Sequence, residues 1–250
     1  DVERSRGLGD VYKRQQFLSY LTFTIKDFNV CSVNINVLCK QCQHYYSQMN
    51  SYHHGNLKKE LLDCALKMCE RDGYTKLSIR SLAKESNVSQ TAPYRHFKTK
   101  EDLYAEVAIE GFNKIHKAIS KYDSNDSKRN LIDGTKAYIK FGLKNANTYD
   151  LMFGTAIKDF TKYPMLFEAA NKTYLHIRST FKEFSKNKDD LYIEESCIDI
   201  WAKIHGMVGL LRKLEVVPVK LVKMPDTPFK AINLISKDLD SYLKKFFNKF

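Results

Sequence analysis

Apolar residues recur at intervals of three and four along most of the chain after residue 56, as they do on the buried face of an amphipathic helix. The first such stretch predicts a helix from Leu57 to about Arg71, with Asn56 as its N-cap and Gly73 in the left-handed conformation after its last turn. The pattern as a whole predicts an all-α protein. The inward face of the first helix consists of Leu57, Leu61, Leu62, Ala65, Leu66 and Cys69.

Two short helices joined by a tight turn are predicted between Ser78 and Phe97. The hydroxyl of Ser78 can cap the first of them, and the second begins at Gln90 after Ser89 as its cap. We expect this pair to pack on the first helix of the chain and form a three-helix unit of the helix-turn-helix type. In such a unit the last helix enters the major groove of DNA.

A longer helix is predicted from Lys100 to about Ser120, because Thr99 and Asp102 form a capping-box pattern at its start. The polar residues after it separate two helical regions. The predicted domains are therefore an N-terminal helix-turn-helix DNA-binding domain at residues 53–120, with its motif at 78–97, and a C-terminal helical domain at 121–250.

Helical spacing continues through the second domain. It predicts a helix around Leu131–Leu143, one from Met165 to Phe184, one from Tyr192 to Leu214, and one that starts at the cap-and-proline pair Thr227-Pro228. The last helix presents a single apolar face made of Ile232, Ile235, Leu239, Tyr242, Leu243, Phe246 and Phe250.

Residues 1–48 do not share this pattern, and a short run around Val33–Val37 alternates apolar and polar residues as a strand does. We expect the native protein to begin at Met49 and the leader to be foreign to it.

The formal net charge of +12 and the pI near 9.3 predict attraction to polyanions, of which nucleic acid is the commonest. The charge is spread out, since residues 49–120 hold 12 Lys/Arg and 9 Asp/Glu, a net of +3. The chain has no run of 18 apolar residues, and its six cysteines lack the spacing of a disulfide framework. We therefore expect a cytoplasmic protein with no membrane partner.

An enzyme is disfavoured, because no nucleophile–base pair, glycine-rich phosphate loop or metal-ligand set stands at a recognisable spacing. His53 and His54 with Cys39 and Cys42 suggest zinc, but the two pairs are poorly spaced for one site. We predict no catalytic residue, no metal and no cofactor.

The third predicted helix carries outward side chains that can exchange hydrogen bonds with base edges and phosphates, as a helix entering the major groove requires. These side chains are Gln90, Thr91, Tyr94, Arg95 and His96.

The stretch from Tyr52 to about Phe112 resembles the TetR/AcrR family of repressors. It includes a hallmark run of that family, a short helix that ends Tyr-x-His-Phe-x-x-Lys, which here extends from Tyr94 to Lys100. The resemblance implies that the N-terminal domain binds double-stranded DNA. It also implies that Gln90 and Thr91 face the bases.

The same resemblance implies that Tyr94, His96, Lys100 and, on the second helix, Arg80 contact phosphates. Arg95 would read a base or neutralise a phosphate, and Ser78 at the start of the second helix joins this DNA-binding set. The alternatives are that Tyr94 packs in the core, that His96 caps or packs, and that Lys100 is simply solvated. Pro93 lies at the end of the first turn of the recognition helix, where it can distort the backbone.

The C-terminal half resembles a branch of the family whose regulatory domain carries a Trp-x-x-x-His-Gly signature, called WHG. Here the signature is Trp201 to Gly206, and Tyr149 to Gly154 is similar to a companion motif. Trp201 and His205 share one helix face, where they either belong to a ligand pocket or are ordinary core residues. Gly206 and Gly209 would let another helix approach closely. The candidate pocket residues are Tyr138, Phe141, Met152, Phe153, Phe167, Trp201 and His205.

These features together predict a homodimeric repressor that pairs through its last two long helices. Two recognition helices would sit about one DNA turn, or a multiple, apart on a palindromic operator. A small-molecule effector in the C-terminal domain would release the protein from DNA, although activation stays open. The alternatives are a helical ligand-binding or interaction protein without functional DNA binding, and an enzyme.

Overall fold

The computed structural model describes residues 57–186 and 188–250, and the predictions for the leader, Met49, Asn56 and the zinc-like set fall outside them. The described residues form ten α-helices and no strand, which confirms the all-α prediction. Short 3-10 turns lie at Tyr74–Lys76, Pro93–Arg95 and Phe160–Lys162. The helices are α1 (Leu57–Asp72), α2 (Ile79–Glu85), α3 (Lys100–Ile119), α4 (Ser127–Lys144), α5 (Ala146–Phe153), α6 (Pro164–Phe184), α7 (Asp190–Val216), α8 (Val219–Lys223), α9 (Pro228–Lys237) and α10 (Leu239–Phe247).

The N-terminal unit begins its helices where the sequence predicts. Ser78 caps α2 in a capping box with Ser81, and Thr99 caps α3 in a second box with Asp102. Gly73 has a positive φ of 83°, but its ψ of 149° lies outside the left-handed helical region that was predicted. The core of the unit is fully buried and includes Leu61, Leu82, Ala83, Phe97 and Leu103.

The third element is shorter and tighter than the predicted α-helix from Gln90 to Phe97. The backbone makes i to i−3 bonds, in which the N–H of Ala92 donates to Ser89 O at 3.0 Å and the N–H of His96 donates to Pro93 O at 2.9 Å. Pro93 has no N–H to donate to Ser89 O, so the first α-helical bond at this point cannot form. The recognition element is therefore a turn with one 3-10 segment, which Phe97 anchors in the core.

Helices α4 to α10 form the second domain around α3. Helix α3 packs on α4, α5 and α6, while α7 packs on α4, α6 and α9. The single last helix that the sequence predicts is two helices, because the Asp238 carboxylate accepts from the N–H of Ser241 and starts α10 as an N-cap. Among the described residues, no helix has both the length and the apolar character needed to cross a bilayer.

Helices α4 and α7 cross closely at Gly142. A Cβ atom added at Gly142 would lie 2.8 Å from Cγ1 of Val208, well inside van der Waals contact. Val208 is β-branched and has little rotamer freedom, so it cannot easily move away. This contact fixes how α7, which carries the Trp201–Gly206 signature, lies against the rest of the domain.

The crossing predicts opposite effects for two alanines in the same helix. Gly142→Ala should lower the free energy of unfolding by about 1–2 kcal/mol, because overpacking outweighs the better helix propensity of alanine. Gly134→Ala is the matched control, since its added Cβ would have no neighbour closer than 3.9 Å. It should raise stability by about 0.5–1 kcal/mol. Urea unfolding of both variants measures the difference, and equal shifts would contradict the tight crossing.

Candidate nucleic-acid interface and regulatory site

The turn between α2 and α3 gathers most of the predicted DNA-binding side chains on one surface. Gln90, Thr91 and Arg95 are exposed, Tyr94 is 45% exposed, and His96 is half-buried beside Phe97. The exposure of Tyr94 disfavours the alternative that it is a core residue. The short turn therefore presents hydroxyl, amide, guanidinium and imidazole groups together.

The exposed arginines of the N-terminal unit differ in their charge partners. Arg71 pairs with Asp72 at 2.8 Å and with Glu85 at 2.7 Å. Hydrogen bonds from Arg71 lower the pKa of both carboxyls. Arg80 and Arg95 have no carboxylate within 4.0 Å in the described part of the chain. Their charges are thus free to meet an external anion such as a phosphate.

Lys100 and Ser78 have structural contacts of their own. The Lys100 ammonium donates to Thr75 O at 3.1 Å and lies 5.1 Å from the centre of the Tyr104 ring. The Tyr104 hydroxyl donates to Tyr74 O at 2.6 Å, so both side chains tie the Tyr74–Lys76 turn to α3. The Ser78 hydroxyl is half-buried and accepts from the N–H of Ser81 at 3.0 Å. Lys100 remains at the surface, whereas the Ser78 hydroxyl is already used within the fold.

The second candidate site is an aromatic cluster around His205 of α7. The hydroxyl of Tyr149 lies 2.6 Å from His205 Nδ1, and that of Tyr138 lies 3.4 Å from Nε2. The rings of Phe153 and Trp201 pack at 4.3 Å and 5.2 Å from the imidazole, centre to centre. Burial lowers the pKa of His205 and raises the pKa of Tyr138 to about 12. The cluster therefore holds a neutral imidazole between two neutral phenols.

Helix α5, which carries Tyr149, is bound to the N-terminal unit through Glu70 of α1. The Glu70 carboxylate accepts from the N–H of Thr148 at 2.7 Å, and Glu70 O accepts from the amide of Asn147 at 2.8 Å. The residue before α5, Asn145, makes no side-chain cap. Glu70 thus supplies from another helix the carboxylate that the free N–H groups at a helix start favour.

The opposite side of α5 and the loop after it make further polar contacts. The Asp150 carboxylate accepts hydrogen bonds from Nη1 and Nη2 of Arg212 on α7, at 2.6 and 2.9 Å. In the following loop, the N–H of Lys158 donates to Glu101 at 3.0 Å. The Tyr163 hydroxyl donates to Asp102 at 3.0 Å. The segment from α5 to Tyr163 therefore joins α7 to α1 and to the first turn of α3.

The predicted pocket residues fall in different places. Tyr138, Phe141 and Met152 are buried, Phe153 and Trp201 belong to the aromatic cluster, and Phe167 is 61% exposed. Phe167 directly follows the buried Leu166, so it points out of the domain. A narrow cavity with room for about one water molecule lies between α3, α4, α6 and α7. Of the predicted set only Tyr138 lines it, and His176 is a lining residue that the sequence analysis missed.

A family model described as bacterial regulatory proteins of the tetR family matches residues 61–107, which span most of α1, all of α2 and the start of α3. Within these residues the chain is similar to the regulators that this model describes. A relative, the uncharacterized HTH-type transcriptional regulator YobS of Bacillus subtilis (strain 168), is 24% identical over 99 residues. The match covers 38% of this chain and 51% of the relative, so the chain spans about half the length of that protein.

Solved structures share the fold at low sequence identity. A protein of unknown function from Rhodococcus sp. RHA1 aligns with a TM-score of 0.58 at 22% identity, over 78% of this chain and 97% of its own. The TetR family regulator PfmR of Thermus thermophilus aligns with a TM-score of 0.52 at 16% identity, over 74% of this chain and 97% of PfmR. The regulator FadR of Bacillus subtilis, solved in complex with stearoyl-CoA, aligns with a TM-score of 0.52 at 14% identity, over 74% of this chain and 96% of FadR. The TetR-type fold thus extends beyond residues 61–107 into the C-terminal domain.

The half-buried imidazole of His205 predicts a pH-dependent stability. Its pKa in the folded state lies below the unfolded value of about 6.5, so the unfolded state alone takes up a proton as the pH falls. The stability is therefore fully present above about pH 6.5 and declines below it. His205→Gln should flatten this decline, measured by urea unfolding at about pH 7.5 and about pH 5.5. An unchanged decline in the variant would show that His205 is not the group responsible.

Proposed function

We propose that this protein is a transcriptional regulator that binds a palindromic operator as a homodimer and is released from it by a small-molecule effector. The observation that carries the proposal is the TetR-like domain with its turn at residues 90–96, which presents exposed polar side chains and an Arg95 that pairs with no carboxylate of the described residues. Repression is the expected sign of regulation, because binding over a promoter blocks transcription.

Gln90 and Thr91 would meet base edges, since they are the exposed residues at the start of the recognition turn. Tyr94, Arg95 and His96 follow on the same turn, and they would contact the backbone or, for Arg95, a base. Arg80 would bind phosphate from α2. Lys100 would do so from the start of α3, where its bond to Thr75 O holds the ammonium at the surface.

Pairing of two copies is supported by an exposed apolar face on α7 and α9. Ile198 and Leu210 on α7 are 51% and 47% exposed, and Leu234 on α9 is 60% exposed. Between these α7 residues, a Cβ added at Gly206 or Gly209 would meet nothing within 4 Å among the described residues. A face of large apolar residues beside small ones is suited to a second helix packing closely against it, and a two-fold dimer places the same face on both sides.

The effect of an effector on DNA binding would pass through α5. A ligand beside Tyr138 would alter the contacts of Tyr138 with His205, and Tyr149 of α5 shares that imidazole. Any movement of α5 changes the bond between Thr148 and Glu70 of α1. The effector can shift the equilibrium only as far as its affinities for the two arrangements differ. The FadR structure with stearoyl-CoA supports small-molecule binding within this fold.

A second candidate is a helical ligand-binding or interaction protein without functional DNA binding. The shortened recognition element favours it, because one 3-10 turn at Pro93–Arg95 presents less surface to a major groove than an α-helix does. An enzyme is less well supported, since the family model describes regulatory proteins.

Substitutions on the recognition turn test the first proposal. Arg95→Ala should weaken binding to DNA from upstream of the protein's own gene about tenfold and reduce the salt slope by about one, because one charge contact is lost. Tyr94→Phe should weaken binding a few-fold by removing one hydrogen bond. Lys186→Ala, at an exposed lysine after α6, is the control and should leave affinity unchanged. Fluorescence anisotropy across a salt series measures all three. Weak binding that ignores sequence and is insensitive to Tyr94→Phe would favour the second candidate.

The dimer face predicts a difference between two equally exposed leucines. Leu210→Asp on α7 should convert the protein to a monomer, because two buried carboxylates would meet across the pair. Operator affinity should then fall by about 100-fold, since the two half-sites are no longer bound together. Leu175→Asp on α6, where the leucine is 50% exposed, is the matched control and should stay dimeric. Sedimentation analysis distinguishes them, and a monomeric parent protein would refute this interface.

A further inference from the structure

Helix α7 has one exposed face on which the kind of side chain changes in a regular order. An acidic residue starts the face, a large apolar residue follows, small residues occupy its middle, and a basic residue ends it. These exposed residues recur at intervals of three and four, as residues on one side of a helix do: Glu195, Ile198, Ala202, Gly206, Gly209 and Lys213. The face therefore carries opposite charges at its two ends.

The two charges at the ends of this face are not used within the described part of the chain. Glu194, the neighbour of Glu195, pairs with an arginine of α6 at 2.5 Å, and Arg212, the neighbour of Lys213, pairs with an aspartate of α5 at 2.6 Å. Glu195 and Lys213 themselves have no opposite charge within 4.0 Å among the described residues. Both charges are thus available to a partner.

Glu195 and Lys213 are too far apart to pair with each other inside one copy. They are 18 positions apart in the sequence, which corresponds to about five turns of an α-helix and a separation of ~27 Å. Because a whole number of turns returns to the same side of the helix, both side chains project from the same side of α7. An ion pair between these two positions therefore requires two copies.

The exposed face is also symmetric about one point of α7. That point is Ile204, which is buried on the opposite side of the helix. Residues at equal distances before and after it have matching side chains: Glu195 and Lys213, Ile198 and Leu210, and Ala202 and Gly206. When two such helices lie antiparallel about a two-fold axis at this point, each residue meets the other member of its pair. Opposite charges then meet at both ends, and large apolar residues meet between them.

A parallel arrangement of the two helices lacks this match. It would place Glu195 against Glu195 and Lys213 against Lys213, and like charges across an interface are unfavourable. In the antiparallel arrangement the small residues at the centre allow a close approach, since a Cβ added at Gly206 would meet nothing within 4 Å among the described residues. At the shallow crossing angle of about 20° that is common in helix bundles, the charged ends stay within reach of each other.

We propose that two copies of this chain pair through α7 in antiparallel orientation, with Glu195 of each copy against Lys213 of the other. The inference rests on the proposed function, in which the protein is a homodimer. It adds the orientation of the two helices and the charges that select the partner. A helical protein without this order of charges would leave one or both ends unpaired, so the face favours a second copy of the same chain.

Charge reversals, measured by sedimentation equilibrium of the full chain without DNA, test this pairing. Glu195→Lys alone and Lys213→Glu alone should each raise the dimer dissociation constant about tenfold, because two ion pairs become two contacts between like charges. An equal mixture of these two variants should dimerise within about threefold of the parent protein, since both ends of the mixed pair again join opposite charges. The double variant should recover in the same way.

Two control variants make the same changes of charge away from this face. Glu183→Lys on α6 and Lys186→Glu after it are at exposed positions and should leave the dimer dissociation constant unchanged. Circular dichroism and thermal unfolding check that each variant is folded, which is expected because all four substituted residues are exposed.

A zero-length carbodiimide cross-linker, which joins a carboxylate to an ammonium in direct contact, locates the pair. Mass spectrometry of the cross-linked dimer should identify a bond between Glu195 and Lys213. The separation of ~27 Å along one helix means that this bond can form only between two copies. Glu195→Gln should remove it.

The possible results each decide the matter. Single reversals that leave the dissociation constant unchanged, a mixture that stays as weak as its components, a dimer cross-linked only at other residues, or a monomeric parent protein would overturn the antiparallel pairing. If Leu210→Asp gives a monomer while the reversals have no effect, the dimer of the proposed function stands and this inference alone fails. If the reversals behave as expected but operator DNA is not bound, the pairing stands and the regulator proposal fails.

Discussion

The carboxylate of Glu70 at the start of α5 is the polar contact that joins α1 to the helix carrying Tyr149. Helix α5 is short and lacks a cap of its own, so its first N–H groups need an acceptor from another part of the chain. Glu70 of α1 provides that acceptor at Thr148, while Asp150 on the same helix forms a bidentate pair with Arg212 of α7. Helix α1 is thus tied through α5 to α7, which carries the proposed dimer face.

Helix α3 is part of both domains. Its first turn follows the turn at residues 90–96, and its body packs on α4, α5 and α6. Its capping box at Thr99 and Asp102 follows the turn at residues 90–96, and Tyr163, just before α6, donates to the same Asp102 carboxylate. Further along, His116 and Ile119 of α3 lie beside the cavity. A ligand at one end and DNA at the other would therefore act on one continuous helix, which requires no long chain of weakly coupled residues.

Sequence reasoning located the features that depend on neighbouring residues. Ser78 and Thr99 were predicted as caps because capping is a local interaction, and both are confirmed. It missed the break at Asp238, where a local cap interrupts an otherwise continuous apolar face. It also missed Glu70 and His176, because their partners lie 78 and 60 positions away in the sequence and no local pattern brings them together. Pro93 was recognised as a disturbance, but its effect on the whole recognition element became clear only from the backbone bonds.

The central claim is that two copies of this chain read DNA through the turns at residues 90–96. The most direct measurement is selection of duplexes from a random library by the full chain, followed by sequencing of those retained. The account predicts an enriched palindrome whose half-sites are centred about one helical turn, or a multiple of about 10 base pairs, apart. Recovery of duplexes with no shared sequence would contradict it, and would leave the chain as a helical protein whose DNA-binding fold no longer reads DNA.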